Sequence, residues 1–177
     1  MLMTFVRKKK IKGKIYYYLV ENIRKGEKTY QKVIKYLGTK SKYSTDLKYI
    51  LPKDIIKIHD RIIERFGGTK GMINAGAIDF ITDNMLARFN REPLEDSVIK
   101  KASLLIFELI SQHAFIDGNK RIGFAVCEEF LNANGYFFNF TTDEAEKLAY
   151  NIGKGTASKS SVEKWIKKHA ERIKPGE

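Results

Sequence analysis

Two hydrophobic periods divide the chain. Up to about residue 38 the apolar and β-prone runs FV, IYYYLV and YQKVIKYLG are separated by Gly13 and by Lys25-Gly26. Glycine supplies the positive φ that tight hairpin turns require, so the pattern predicts a three-stranded antiparallel meander over about residues 3–38. Residues 39–51, TKSKYSTDLKYIL, read as a polar linker. From Pro52 onward the period becomes about 3.6. In PKDIIKIHDRIIERFGG, Pro52 stands at a first helical position, Ile55, Ile58, Ile62 and Phe66 form one stripe, and Gly67-Gly68 end the helix. A shorter helix is expected over about Ala75–Thr82. Asp96 is placed to cap another over roughly 97–112, whose dense apolar content implies burial on several sides. A further helix runs from about Gly118 to Asn134 and stops at Gly135. Thr141 with Glu144, and Ser160 with Glu163, have capping-box spacing and open two more, the last turning Val162, Trp165 and Ile166 inward. The fold class expected is an all-α main domain over residues 46–177 behind a small antiparallel β extension over residues 1–45.

Composition narrows the function classes. A chain of 177 residues with 43% hydrophobic content suits one folded domain with an appendage. Cys127 is the single cysteine, which excludes an internal disulfide and fits a reducing compartment. No run approaches the roughly 18–20 apolar residues of a membrane span, so the expectation is a soluble, cytoplasmic protein with no membrane partner.

Charge changes the picture of the extension. Residues 1–53 hold 15 Lys and Arg against 3 Asp and Glu, whereas residues 54–177 hold 18 of each, so the whole excess lies in the first third. Tyr16, Tyr17, Tyr18, Tyr30 and Tyr36 interleave with Lys10, Lys12, Lys14, Lys28, Lys32 and Lys35. That mixture suits phosphate attraction with base stacking, which makes nucleic acid a candidate partner through residues 1–40. A lysine-rich solvated sheet whose tyrosines pack on the main domain is the alternative.

The chemistry concentrates in HAFIDGNKR, residues 113–121, between two apolar helices. A helix N-terminus attracts anions through its unpaired N–H groups and its dipole. Gly118 admits a ligand close to the backbone, Asn119 offers an amide, and Lys120 and Arg121 add charge-assisted bonds. Asp117 is a hard oxygen ligand suited to Mg²⁺. His113 is of a type that accepts a proton from a hydroxyl near neutral pH. Together these parts point to phosphoryl or nucleotidyl transfer from a nucleotide. Taken singly, Asp117 could serve as an N-cap, His113 as a loop residue, and the two cations as solvated surface. Phe115, apolar in the middle of the loop, reads as a core anchor.

HAFIDGNKR resembles the signature H-x-F-x-[D/N/E]-[G/A]-N-[G/K]-R of the Fic/Doc family and matches every specified position. The resemblance spans most of residues 50–155, including GGTKGMINAGAIDFI, LIFELISQ and FLNANGYFF, and leaves residues 1–45 uncovered. It implies a Fic fold, a helical bundle around a central helix, with ATP and Mg²⁺ as cofactors. His113 would be the general base acting on a Ser, Thr or Tyr hydroxyl of a target protein. Asp117 would hold the metal, and Gly118, Asn119, Lys120 and Arg121 would bind the triphosphate. A flap that clamps the target's backbone is placed at 83–93. Family members that transfer AMP carry G-N-G-R-x-x-R; Lys120 and Phe124 stand here in place of the second glycine and the last arginine. In this respect the chain is similar to the Doc branch, which implies transfer of the γ-phosphoryl group, with AMP transfer as the alternative. That branch also implies a toxin restrained by a separate antitoxin, a translation factor being one kind of target. The inhibitory string [S/T]-x-x-x-E-[G/N] is approached by Thr142 and Glu146 but followed by Lys147, and reads as chance inside a helix. A third reading is a nucleic-acid-binding protein on an inactive scaffold. Outside the motif, His59 beside Asp60 reads as an exposed or half-buried pair, His169 lies among lysines, Cys127 reads as core, and the scattered histidines do not support a zinc site.

Overall fold

The computed structural model describes residues 4–39, 47–86 and 94–173. In chain order the elements are β1 (Thr4–Ile11), β2 (Lys14–Lys25), β3 (Lys28–Gly38), β4 (Lys48–Tyr49), α1 (Pro52–Phe66), α2 (Ala75–Leu86), α3 (Leu94–Ser111), α4 (Asn119–Ala133), β5 (Tyr136–Phe138), α5 (Thr142–Gly153), α6 (Lys159–His169) and β6 (Ala170–Arg172). Among the described residues, six helices thus follow an N-terminal antiparallel sheet.

The meander forms as its period requires, with Lys12-Gly13 and Gly26 at positive φ in the two turns. It gains a fourth strand, in the order β3-β2-β1-β4. This corrects the expectation of a polar linker over residues 39–51 at its end, residues 47–51, while residues 40–46 lie outside those described. Leu47, Tyr49, Ile50 and Leu51 are buried, and Thr4 pairs with Tyr49 and Phe5 with Lys48. Asn134, at the end of α4, closes this join: Lys48 N–H donates to its Oδ1 at 2.9 Å and its Nδ2 donates to Lys48 O at 3.1 Å. The inward side chains Val6, Tyr17 and Leu19 belong to the same continuous apolar cluster as the helices. Lys53 to Glu21 (2.5 Å) and Lys35 to Asp83 (2.7 Å) tie the sheet to α1 and α2.

Helix α3 packs against α2, α4, α5 and α6. Its buried positions Val98, Ile99, Ala102, Leu105, Ile106, Leu109 and Ile110 lie on more than one face, as its dense apolar pattern predicts. It begins at Leu94, so Asp96 sits within the first turn rather than capping it, where a carboxylate complements the helix dipole. Gly123 lets α4 come close, since a Cβ there would stand 2.8 Å from Ile110 Cγ1. Helix α2 continues one turn beyond Thr82 to Leu86. The flap placed at 83–93 therefore starts as helix, and residues 87–93 lie outside those described.

The capping box that opens α5 is present, with Glu144 N–H donating to Thr141 Oγ1 and Thr141 N–H donating to Glu144 Oε2. At α6 the cap is Ser158, accepting from Ser161 N–H at 3.1 Å, and not Ser160. A two-stranded ribbon of β5 and β6 was not expected; it joins the exit of α4 to the end of α6. His169 is buried, stacks on Trp165, donates Nδ1–H to Trp165 O at 2.8 Å and sets Nε2 3.2 Å from Glu144 Oε1.

The Thr141 backbone N–H, the His169 ring and the Thr141 hydroxyl together hold the Glu144 carboxyl down to about 2, from an ordinary 4.5. A depressed carboxylate contributes stability above its unfolded value and loses it as pH falls through its folded value. Urea-unfolding midpoints of wild type and Glu144→Gln should therefore differ by a gap that closes as pH falls from about 5 toward about 2. A gap independent of pH would show that the charge contributes nothing.

Candidate active site

The motif loop is held from two sides. Beneath it, Phe115 is buried and its ring lies on that of His59, with centroids 3.9 Å apart and planes 9° from parallel. His59 Nε2–H donates to Asp117 O at 3.0 Å, which fixes the backbone ahead of the helix. His59 is thus a buried strut, 1% accessible, and not exposed or half-buried, while its Nδ1 still lies 3.4 Å from Asp60 Oδ1. Its spacing carries the signal: it lies four residues after Ile55, on the stripe that faces the core. Beside the loop runs the segment after α1. Ile73 N–H donates to Ala114 O at 2.8 Å and Ile116 N–H to Gly71 O at 3.0 Å, with a bridge between Met72 and Phe115.

Within the loop, Asn119 closes the turn on itself. Its side-chain oxygen accepts from Phe115 N–H at 3.0 Å and its Nδ2 donates to Phe115 O at 2.7 Å. The carboxamide expected to face a ligand is committed to the loop, so Asn119 acts through the shape it imposes and its backbone. Gly118, the N-cap of α4, takes φ 78° and has no side chain to cap the helix. Lys120 is exposed and Arg121 half-buried in the first turn. Two cations at the positive end of a helix oppose its dipole; Asp117, 3.6 Å from Arg121, offsets one of them, and an anion seated there would relieve the rest. That local imbalance separates an anion site from an ordinary helix start.

Asp117 is half-exposed and points toward the Gly67–Gly71 loop. Gly118 N–H donates to its Oδ1 at 2.5 Å, Thr69 N–H approaches Oδ2 at 3.4 Å, and Arg121 Nη2 lies 3.6 Å from Oδ1. Arg121 Nη1 also donates to Gly67 O at 2.9 Å. The carboxylate fits a magnesium ion in kind. Among the described residues no group of three His, Cys, Asp or Glu side chains is placed to hold a metal, so a single carboxylate would be completed by ligand oxygens, as this cation favours. His113 follows the end of α3, exposed and at φ 46°.

The glycine loop is a part of the site that sequence reasoning did not single out. Gly68 has φ 126°, and a Cβ there would stand 2.4 Å from Asp117 Oδ2. Gly68→Ala is expected to cost about 1–3 kcal/mol through backbone strain and to push the Asp117 carboxylate aside. Gly135, at φ 81° with nothing within 4 Å of a Cβ, is the control. In NMR spectra the Gly118 amide resonance should move in Gly68→Ala and stay in Gly135→Ala; equal shifts would refute the contact.

Beside Lys120 and Arg121 opens a cleft of about 1010 Å³ with Ile62, Phe66, Phe124 and Phe140 among its walls. Phe124, at the place of the missing arginine, packs on Phe140 (5.3 Å between centroids) and edge-on to Trp165 (6.0 Å). Glu146 lines the same cleft from α5. Cys127 is fully buried, and burial pushes its thiol well above its ordinary range, away from thiolate reactivity.

No helix among the described residues is long and apolar enough to cross a membrane. The family model described as Fic/DOC family matches residues 49–131, which run from β4 to within two residues of the end of α4. The protein kinase doc of Escherichia phage P1 is 32% identical over 116 residues, covering 66% of this chain and 90% of that protein. The buried Phe115, the Asn119-closed turn and the cationic start of α4 therefore sit inside the matched region, and the chain belongs to the Fic/DOC family.

Proposed function

We propose that the protein transfers the γ-phosphoryl group of ATP to a hydroxyl of another protein. The observation that carries this reading is the start of α4, where Lys120 and Arg121 follow a glycine cap and bring positive charge that Asp117 offsets only in part and the helix dipole increases. A triphosphate supplies the matching anion, and the adjoining cleft, walled by Phe66, Phe124 and Phe140, suits a nucleobase. In the transfer, the hydroxyl oxygen forms the new bond to phosphorus, its proton passes to His113, and the bond from the γ-phosphorus to the bridging oxygen breaks to release ADP. Gly118, Lys120 and Arg121 hold the phosphates, and the carboxamide of Asn119 keeps the turn in shape. Asp117 would hold Mg²⁺, which when bound neutralises phosphate charge.

Phosphoryl transfer is preferred to AMP transfer on two grounds. Lys120 fills the space that a glycine would leave, and Phe124 is engaged in an aromatic cluster where a second arginine would grip phosphate. The relative named above is itself called a protein kinase. A growth-arresting role restrained by a separate antitoxin goes with this reading. The deciding experiment offers the protein and a cell extract ATP labelled at the α or the γ phosphate. Label retained on protein from the γ position alone is expected, whereas retained α label would establish AMP transfer.

A further inference from the structure

The outer face of the N-terminal sheet has no part in the reading above. The register places Arg7 beside Tyr18 and Lys9 beside Tyr16 across β1 and β2, and Tyr18 beside Tyr36 across β2 and β3. These residues share one face, opposite Val6, Tyr17 and Leu19, which enter the core. On it the rings of Tyr16 and Tyr18 approach Tyr36 with centroids 6.4 and 5.4 Å apart. Tyr36 is 54% exposed and Val33 on the same strand 56%. Arg7 reaches across the face to the Gln31 side chain. The β1–β2 hairpin projects beyond the core with Lys8, Lys9, Lys10, Lys12 and Lys14 exposed. Among the described residues 4–39 the acidic side chains are Glu21 and Glu27, and Glu21 is buried against Lys53.

We propose that this face binds single-stranded nucleic acid. The charge is one-sided, whereas a surface kept merely soluble intersperses both signs, and it lies beside clustered aromatic rings rather than on a polar ground. Tyr36, exposed and backed by the half-buried Tyr16 and Tyr18, offers a ring that stacks on unpaired bases of any sequence while flanking lysine and arginine follow the phosphates, the combination that single strands require and duplexes, with their bases already stacked, cannot use. An acidic polypeptide would use the cations and leave the tyrosines idle. An anionic lipid surface would call for an apolar tip on one side, whereas the exposed Ile11 and Ile15 stand on opposite faces of the hairpin among Lys10, Lys12 and Lys14.

The test is fluorescence anisotropy of the full-length chain with labelled oligouridylate, oligothymidylate and a duplex of equal length. Binding to both single strands should weaken about 10- to 100-fold between about 50 and 200 mM salt. Tyr36→Ala, an exposed change expected to keep the melting temperature, should weaken binding about 5- to 100-fold at fixed salt and leave the salt slope in place. Arg7→Gln combined with Lys9→Gln should flatten that slope, and His113→Ala should bind as wild type does. Three results overturn the proposal: no association at the lower salt, equal or tighter binding of the duplex, or binding that Tyr36→Ala leaves intact and that polyglutamate or phosphatidylserine vesicles reproduce.

Discussion

His113→Ala is expected to slow transfer of the γ-phosphoryl group to a protein hydroxyl by about 10²- to 10⁴-fold, the share that a positioned proton acceptor supplies. The side chain is exposed, so its removal opens no cavity. The residue does adopt φ 46°, a region that costs a residue with a Cβ roughly 1–2 kcal/mol. His113→Asn serves as a companion, since asparagine enters this region more readily than alanine. The two variants should differ modestly in melting temperature and match in lost activity, read as radiolabel incorporated per unit time. Wild-type rates in either would remove His113 from the chemistry.

The largest effect on stability is expected at Phe115. Its ring is 1% accessible and stacked on His59, and truncating a buried phenylalanine to alanine costs about 3–5 kcal/mol in lost burial and cavity. Against a total stability of about 5–15 kcal/mol this is a large fraction. For a chain of this size it corresponds to a fall in melting temperature of roughly 6–20 °C. Phe115→Leu should recover most of it, because side chains closer in volume are tolerated better. Calorimetric scans of the three proteins check this. A fall of only a degree or two in Phe115→Ala would mean that the loop is held by its backbone pairing with residues 71–74 and not by the ring.

These two residues also show which parts of the molecule the sequence makes legible. His113, Phe115, Asp117, Gly118, Asn119, Lys120 and Arg121 lie within nine consecutive positions, and the turn they form is closed by bonds four residues apart, so local spacing is sufficient to identify them together. The meander and most helix starts are legible for the same reason, since turn glycines and capping pairs act over two to four residues. The Ser158 cap was misplaced by two residues because Ser158, Ser160 and Ser161 offer the same hydroxyl within one turn. What escaped was non-local. His59 meets Asp117 across 58 positions, and β4 has two residues and β5 and β6 three each, too short to show a period of two. Leu47, Tyr49, Ile50 and Leu51 read as linker because their polar neighbours mask a segment whose burial depends on pairing with β1. The commitment of Asn119 to Phe115 was hidden for a different reason: an amide that shapes a turn and one that faces a ligand occupy the same position in a motif.

Phosphoryl transfer by this protein requires that the first turn of α4 accept a metal-bound triphosphate. Isothermal titration of the full-length chain with ATP, with and without magnesium, addresses this most directly. Association that requires magnesium, weakens in Asp117→Asn and weakens again when Lys120 and Arg121 are both changed to glutamine is the predicted result. No heat of binding in the presence of magnesium, or binding that ignores all three side chains, would contradict it.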